Sequence, residues 1–274
     1  MTNKDLISQY VDTGIGIPEY QYDKLSNNDK RTYLRKIYMG LDLAPENIGN
    51  YYAELPEMKQ LEIVSNNGYA IQYIDNPSQE VQMSAVKENG YVLQFIDNPS
   101  YSVKLAAVER NGNSIQYIEN PSEEIKLKAV ISDGDAIQYI ENPSNELQLI
   151  AVKQHSISIR FIKNPSEEVQ MAAINTPTKI FGKPVYGLAI QEIENPSEAV
   201  QLAAVKLNPI GLYHIKDPSY AVQMAAVNTD GRAIQYIDNP SEELQLAAVT
   251  QTPKAINYIK YPKYNVRVLA NDNL

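Results

Sequence analysis

The residues best suited to chemistry in this chain are few, and most of them cluster. Arg160, Lys163, Lys179, Lys183 and Lys216 are cations in a chain where 33 Asp and Glu outnumber 24 Lys and Arg, for a formal charge of −9. Phe181 and Tyr186 lie among them, and His214 stands just before Lys216. Cations interleaved with aromatics grip surfaces, because ring and guanidinium side chains carry most interface energy. The chain has no cysteine and only two histidines, His155 and His214. That excludes disulfides, thiolate metal sites and a cysteine nucleophile. We therefore expect no catalytic residue, no metal ligand set and no cofactor. The eight residues Arg160, Lys163, Lys179, Phe181, Lys183, Tyr186, His214 and Lys216 are the expected partner-binding site.

The elements that position these residues come from a repeat. Pro77, Pro99, Pro121, Pro143, Pro165, Pro196, Pro218 and Pro240 each precede a serine, and the step between them is 22 residues, except for 31 between Pro165 and Pro196. Pro262 extends the series with Lys263 in place of serine, and Pro56 opens it in degenerate form. A fixed period of this length is the mark of a solenoid, in which each unit buries its apolar face on its neighbours. The expected fold is all-α: an α-solenoid, or superhelix, of about ten 22-residue helix–turn–short-helix repeats. It would occupy residues 56–274, behind an N-terminal helical cap at residues 1–55.

Within a unit, the Asn-Pro-Ser junction reads as a helix start, with Asn76 as the cap and Pro77 at the first helical position. Glu123, Glu167, Glu198 and Glu242 then fall at the third position, where they complete a capping-box pattern. The run Val-Gln-Leu-Ala-Ala-Val continues the helix, since alanine is the best helix former. Asn89–Gly90, Asn111–Gly112, Asp133–Gly134 and Asp230–Gly231 supply a left-handed residue that ends it. A short second segment such as Ala-Ile-Gln-Tyr-Ile follows, as a one- to two-turn helix or 3₁₀ piece. The competing assignment is a leucine-rich horseshoe with a strand at Ala106–Val108, and the alanines argue against it.

The motif V-x-L-A-A-V-x-x-N-G-x-A-I-x-Y resembles a family of uncharacterised tandem repeats in bacterial and phage proteins, over Leu61 to about Ala270. The resemblance implies α-helical repeats and no particular activity. The Asn-Pro-Ser junction departs from that family's usual longer linker.

Each repeat position becomes a stripe in a solenoid. Counting from the proline, position 19 reads Tyr73, Phe95, Tyr117, Tyr139, Phe161, Glu192, His214, Tyr236 and Tyr258. That stripe is either core packing or an exposed aromatic strip. Recurring glutamines at position 18 (Gln72, Gln94, Gln116, Gln138) and position 6 (Gln82, Gln148, Gln170, Gln201) suggest hydrogen bonds between units. Acidic residues collect at the junctions, among them Asp75, Glu80, Asp97, Glu119, Glu141 and Asp238. They are caps on a solvated edge, or an anionic ridge that imitates a nucleic-acid backbone.

The pattern breaks between Arg160 and Lys216. Arg160 and Lys163 reverse the local charge, nine residues enter within 175–187, and position 19 turns polar at Glu192 and His214. Insertions into repeats map to loops on one face, often the binding face. His155, where asparagine opens the usual turn, reads as a turn variant.

Near the start, Asp12–Glu19 is similar to the D-x-G-x-G-I-P box of histidine-kinase-type ATPase domains. The partner boxes that such a site needs are missing, so nucleotide binding is not expected. The acidic balance argues against direct nucleic-acid binding and against an anionic membrane. With no apolar leader, a cytoplasmic protein is expected. The function this supports is a non-enzymatic protein-binding scaffold, with a phage-encoded inhibitor of a host protein as its sharper form. The alternative is an acidic nucleic-acid mimic that blocks a DNA- or RNA-binding defence factor.

Overall fold

A computed structural model describes residues 55–272. The proposed cap and the Asp12–Glu19 box lie outside the described residues. The chain divides into two compact parts, one ending at Ile118 and the other starting at Glu119. Both are α-solenoids of the same unit: an α-helix of nine or ten residues, one extended residue, then a 3₁₀ helix of five or six. In the first part the α-helices are Glu57–Asn66, Gln79–Glu88 and Tyr101–Arg110. The second part runs from Glu123–Ser132 through five further helices to Tyr264–Asp272. Ala106–Val108 lies inside a helix, so the horseshoe assignment falls. No helix among the described residues is long and apolar enough to cross a membrane.

The junction works differently from the expectation. Serine, not asparagine, is the N-cap: Ser78 Oγ accepts from the N–H of Val81 at 3.3 Å, and Ser100 through Ser241 repeat the bond. Proline sits just before the cap rather than at the first helical position. Its fixed φ keeps the chain extended there, and Ser78 itself has ψ 162°. Asn76 has φ 51° and turns the chain out of the preceding 3₁₀ helix, a left-handed conformation that asparagine tolerates. Glu123, Glu167, Glu198 and Glu242 are consequently the first helical residues. They complement the helix dipole but make no capping box.

The Asn-Gly step also differs. Asn89 is extended at φ −146°, and its side chain caps the 3₁₀ helix by accepting from Tyr91 N–H at 3.0 Å. Gly90 has no positive φ. Glycine is needed there because the next helix comes too close for a Cβ. One built on Gly134 would lie 2.6 Å from the Ala151 carbonyl oxygen, and one on Gly90 would overlap that of Ala107.

The core follows from the two helical periods. Position 5 and position 9, such as Val103 and Ala107, stand one turn apart on the α-helix, and both are fully buried. On the 3₁₀ helix, three residues per turn align positions 17 and 20. Ile137 and Ile140 accordingly point inward, which leaves positions 18 and 19 facing out. Position 19 is thus an exposed strip for most of its length. Phe95, Tyr117, Tyr139 and Tyr258 are each more than a third exposed, and only Tyr73 is buried. The glutamines bond within their own units. Gln116 Nε2 donates to Asn113 O at 3.0 Å, and Gln82 Nε2 to Pro77 O at 3.0 Å. Most of these glutamines thus meet a backbone carbonyl of their own unit instead of forming a ladder, and Gln245 also reaches the next unit, its Oε1 accepting from the N–H of Lys263 at 3.1 Å. The junction acids, from Asp75 to Glu242, are all exposed.

Candidate functional site

The inserted residues form a β-hairpin rather than a loop. The helix Glu167–Asn175 stops, and β1 (Thr178–Ile180) pairs antiparallel with β2 (Lys183–Val185), Ile180 opposite Lys183. Phe181 and Gly182 make the two-residue turn, with φ of 49° and 77°. Two positive φ values define the type I′ turn, whose twist matches the strands it joins. Gly187, at φ 72°, returns the chain to the unit and donates to Ile174 O at 3.0 Å. The hairpin's base is tied down where Thr178 Oγ1 meets Ser156 Oγ of the preceding unit at 2.6 Å.

At the tip Phe181 is 100% exposed. Eight described residues other than glycine have positive φ, and the other seven are Asn or Asp. Lys179 and Lys183 are exposed on either strand, and Tyr186 is exposed at the hairpin's end.

The remaining predicted residues do not ring the hairpin with free charge. Arg160 Cζ stacks 4.5 Å from the centre of the Phe161 ring, and its Nη2 is 3.5 Å from Asp135 Oδ2. Asp135 thus partly neutralises it. With Lys163, it lines a groove of about 550 Å³ whose other wall carries Glu192 and Glu194. His214 is exposed and meets Tyr213 edge to face at 5.1 Å, and Lys216 is exposed beyond it.

One group was not anticipated. Asp133, Asp135 and His155 each present an atom within 4.8 Å of the others. His155 Nδ1 lies 3.4 Å from Asp133 Oδ1 and 3.8 Å from Asp135 Oδ1. Two carboxylates and an imidazole are donors a divalent cation accepts. Here Asp135 already accepts from the buried Ser158 hydroxyl and pairs with Arg160. The group therefore acts as a polar join between successive units. Its sequence signal was Asp133 and His155 standing 22 residues apart, at the place that Asn67, Asn89, Asn111 and Asn208 take in other units.

In comparisons with family models, curated proteins and solved structures, nothing matches the chain.

Proposed function

We propose that this chain is a non-enzymatic scaffold that binds another protein through the inserted hairpin. Phe181 carries the reading. Its ring is wholly in solvent, and its backbone holds a left-handed conformation that costs roughly 1–2 kcal/mol for an ordinary L-residue. Neither feature helps the array fold. A ring held out on a two-residue turn is pre-positioned to enter a pocket, so little freedom is lost on binding. Lys179 and Lys183 beside it suit a pocket with an acidic rim.

The test compares the intact chain with a variant lacking residues 177–185, which restores the 22-residue step. Both are immobilised and exposed to a lysate of the organism that encodes the protein. The expected result is a protein retained by the intact chain and lost with the deletion, while circular dichroism and melting stay unchanged. Retention of the same proteins by both would overturn the hairpin assignment and move attention to the acidic junctions.

A further inference from the structure

The unit that opens at Pro196 carries apolar residues where its neighbours carry polar ones. Counting from the proline, its positions 12, 15 and 18 are Leu207, Ile210 and Tyr213. The unit at Pro121 has Ser132, Asp135 and Gln138 there, and the unit at Pro218 has Thr229, Arg232 and Gln235. The three apolar side chains stay in solvent: Leu207 is 45%, Ile210 59% and Tyr213 70% exposed. These positions share one edge of the array, since Gln251, Lys254 and Asn257, their equivalents in the unit at Pro240, line a single cavity. Ile210 and Tyr213 also stand three residues apart in the 3₁₀ helix Pro209–His214, and that spacing aligns them.

The hairpin rises from the same edge, one unit earlier. Thr178 and Lys179 line a cavity with Gln154 and Ile157, which hold positions 12 and 15 of the preceding unit. At the hairpin's end, a Cβ built on Gly187, beside Tyr186, would lie 3.5 Å from Leu207 Cβ. Centred one unit beyond the apolar row is a cleft of about 150 Å³ lined by Ile210, Ala233, Tyr236 and Tyr258, with Asp230 and Arg232 in its wall. A cavity of about that size takes a benzene ring. Along this edge there follow, in order, a projecting Phe181, an uncharged centre and a cleft of ring size.

We infer that this edge binds a second copy of the chain about a two-fold axis beside Ile210. In such an interface the same surface serves both copies, so what lies one unit before the axis meets what lies one unit after it. The hairpin of each copy then meets the cleft of the other, and Phe181 fills the space that Tyr236 and Tyr258 line. The apolar rows cover one another, and a centre without charge suits an interface core. Phe181, Tyr186, Leu207, Ile210 and Tyr213 expose about 600 Å² between them, at roughly 200 Å² for a full side chain. Two copies together reach the ~1,200 Å² at which specific, stable interfaces begin. The inference rests on the reading of the hairpin as a docking element, and it makes the chain itself the partner.

The purified full-length chain is followed by sedimentation equilibrium, with no lysate present. It should approach twice its 30.8 kDa as concentration rises. Ile210→Lys copies the residue that position 15 carries at Lys254, so melting should hold. A lysine facing its own copy should nevertheless weaken the dimer about 100-fold. Phe181→Asn should weaken it about 30-fold. Because the chain has no cysteine, Ile210→Cys reports the axis. It should oxidise to a covalent dimer, and Lys254→Cys, two units away, should not. A chain that stays monomeric, or a dimer that Ile210→Lys or Phe181→Asn leaves intact, overturns the proposal. If a monomeric chain still retains a lysate protein through its hairpin, the docking reading stands and this inference falls.

Discussion

The Asn-Pro-Ser junctions and the hairpin tip demand the same backbone, and they fill it with opposite kinds of residue. Asn142 and Asn164 have φ 48°, and Phe181 has φ 49°. At the junctions a residue that tolerates the left-handed conformation turns the chain from one unit into the next. At the tip a bulky ring holds those angles with nothing packed on it. At the junctions the residue suits the backbone; at the tip it does not.

Phe181→Asn tests that contrast most directly. It should lower affinity for the captured partner by about 2 kcal/mol or more, roughly 30-fold, as expected for an aromatic anchor. The melting temperature should hold or rise. Unchanged affinity would leave the exposed ring without a purpose. Next in size, Asn142→Ala should cost roughly 1–2 kcal/mol in urea unfolding, because alanine pays for the left-handed angles. If it is neutral, those angles are undemanding, and the argument from Phe181 loses its premise.

A second pair of places sharpens the comparison. Ser114 and Ser158 both occupy position 16 and are both fully buried. Ser158 donates to Asp135 of the preceding unit, whereas Ser114 Oγ has no partner, since Tyr91 stands where the aspartate would be. Ser158→Ala should cost about 1 kcal/mol and Ser114→Ala nothing, or should stabilise, because an unpaired buried hydroxyl is a burden.

The smallest effect concerns Asp230. Hydrogen bonds from the Arg232 guanidinium hold its carboxyl below the usual aspartate value. A lowered carboxylate pKa contributes stability above the unfolded value, and that stability is lost as pH falls through the folded one. Arg232→Ala should therefore lower the melting temperature slightly at neutral pH and converge on the intact chain in acid, so that the decline between the two is flatter.

Much of the fold was legible in the sequence, since the 22-residue step and the alanine-rich run fix the helices and their stacking. What misled was local. Asn, Pro and Ser are all helix-start residues, and only the backbone angles of Ser78 decide that it is the cap. The glutamine stripes were visible, but their carbonyl partners carry no mark in a sequence. Phe-Gly lacks the Asn-Gly signal of a tight hairpin, so the insertion read as a loop. The groove between Arg160 and Glu192 was only half legible: Arg160 and Lys163 stood out as reversals, but Glu192 and Glu194 join them only when successive units stack.

One property of the units bears on how the protein responds to load. Within either part, the backbone hydrogen bonds outside the helices begin and end in the same unit, as those of the helices and the hairpin do. Apolar faces and side-chain contacts alone therefore hold neighbours together. Pulled end to end, such an array yields between units before it yields within them. Each unit that then opens lets out about 75 Å of chain, given roughly 22 residues at ~3.4 Å each. An array built this way lengthens in steps, one unit at a time, and a unit far from the one that gives keeps its fold.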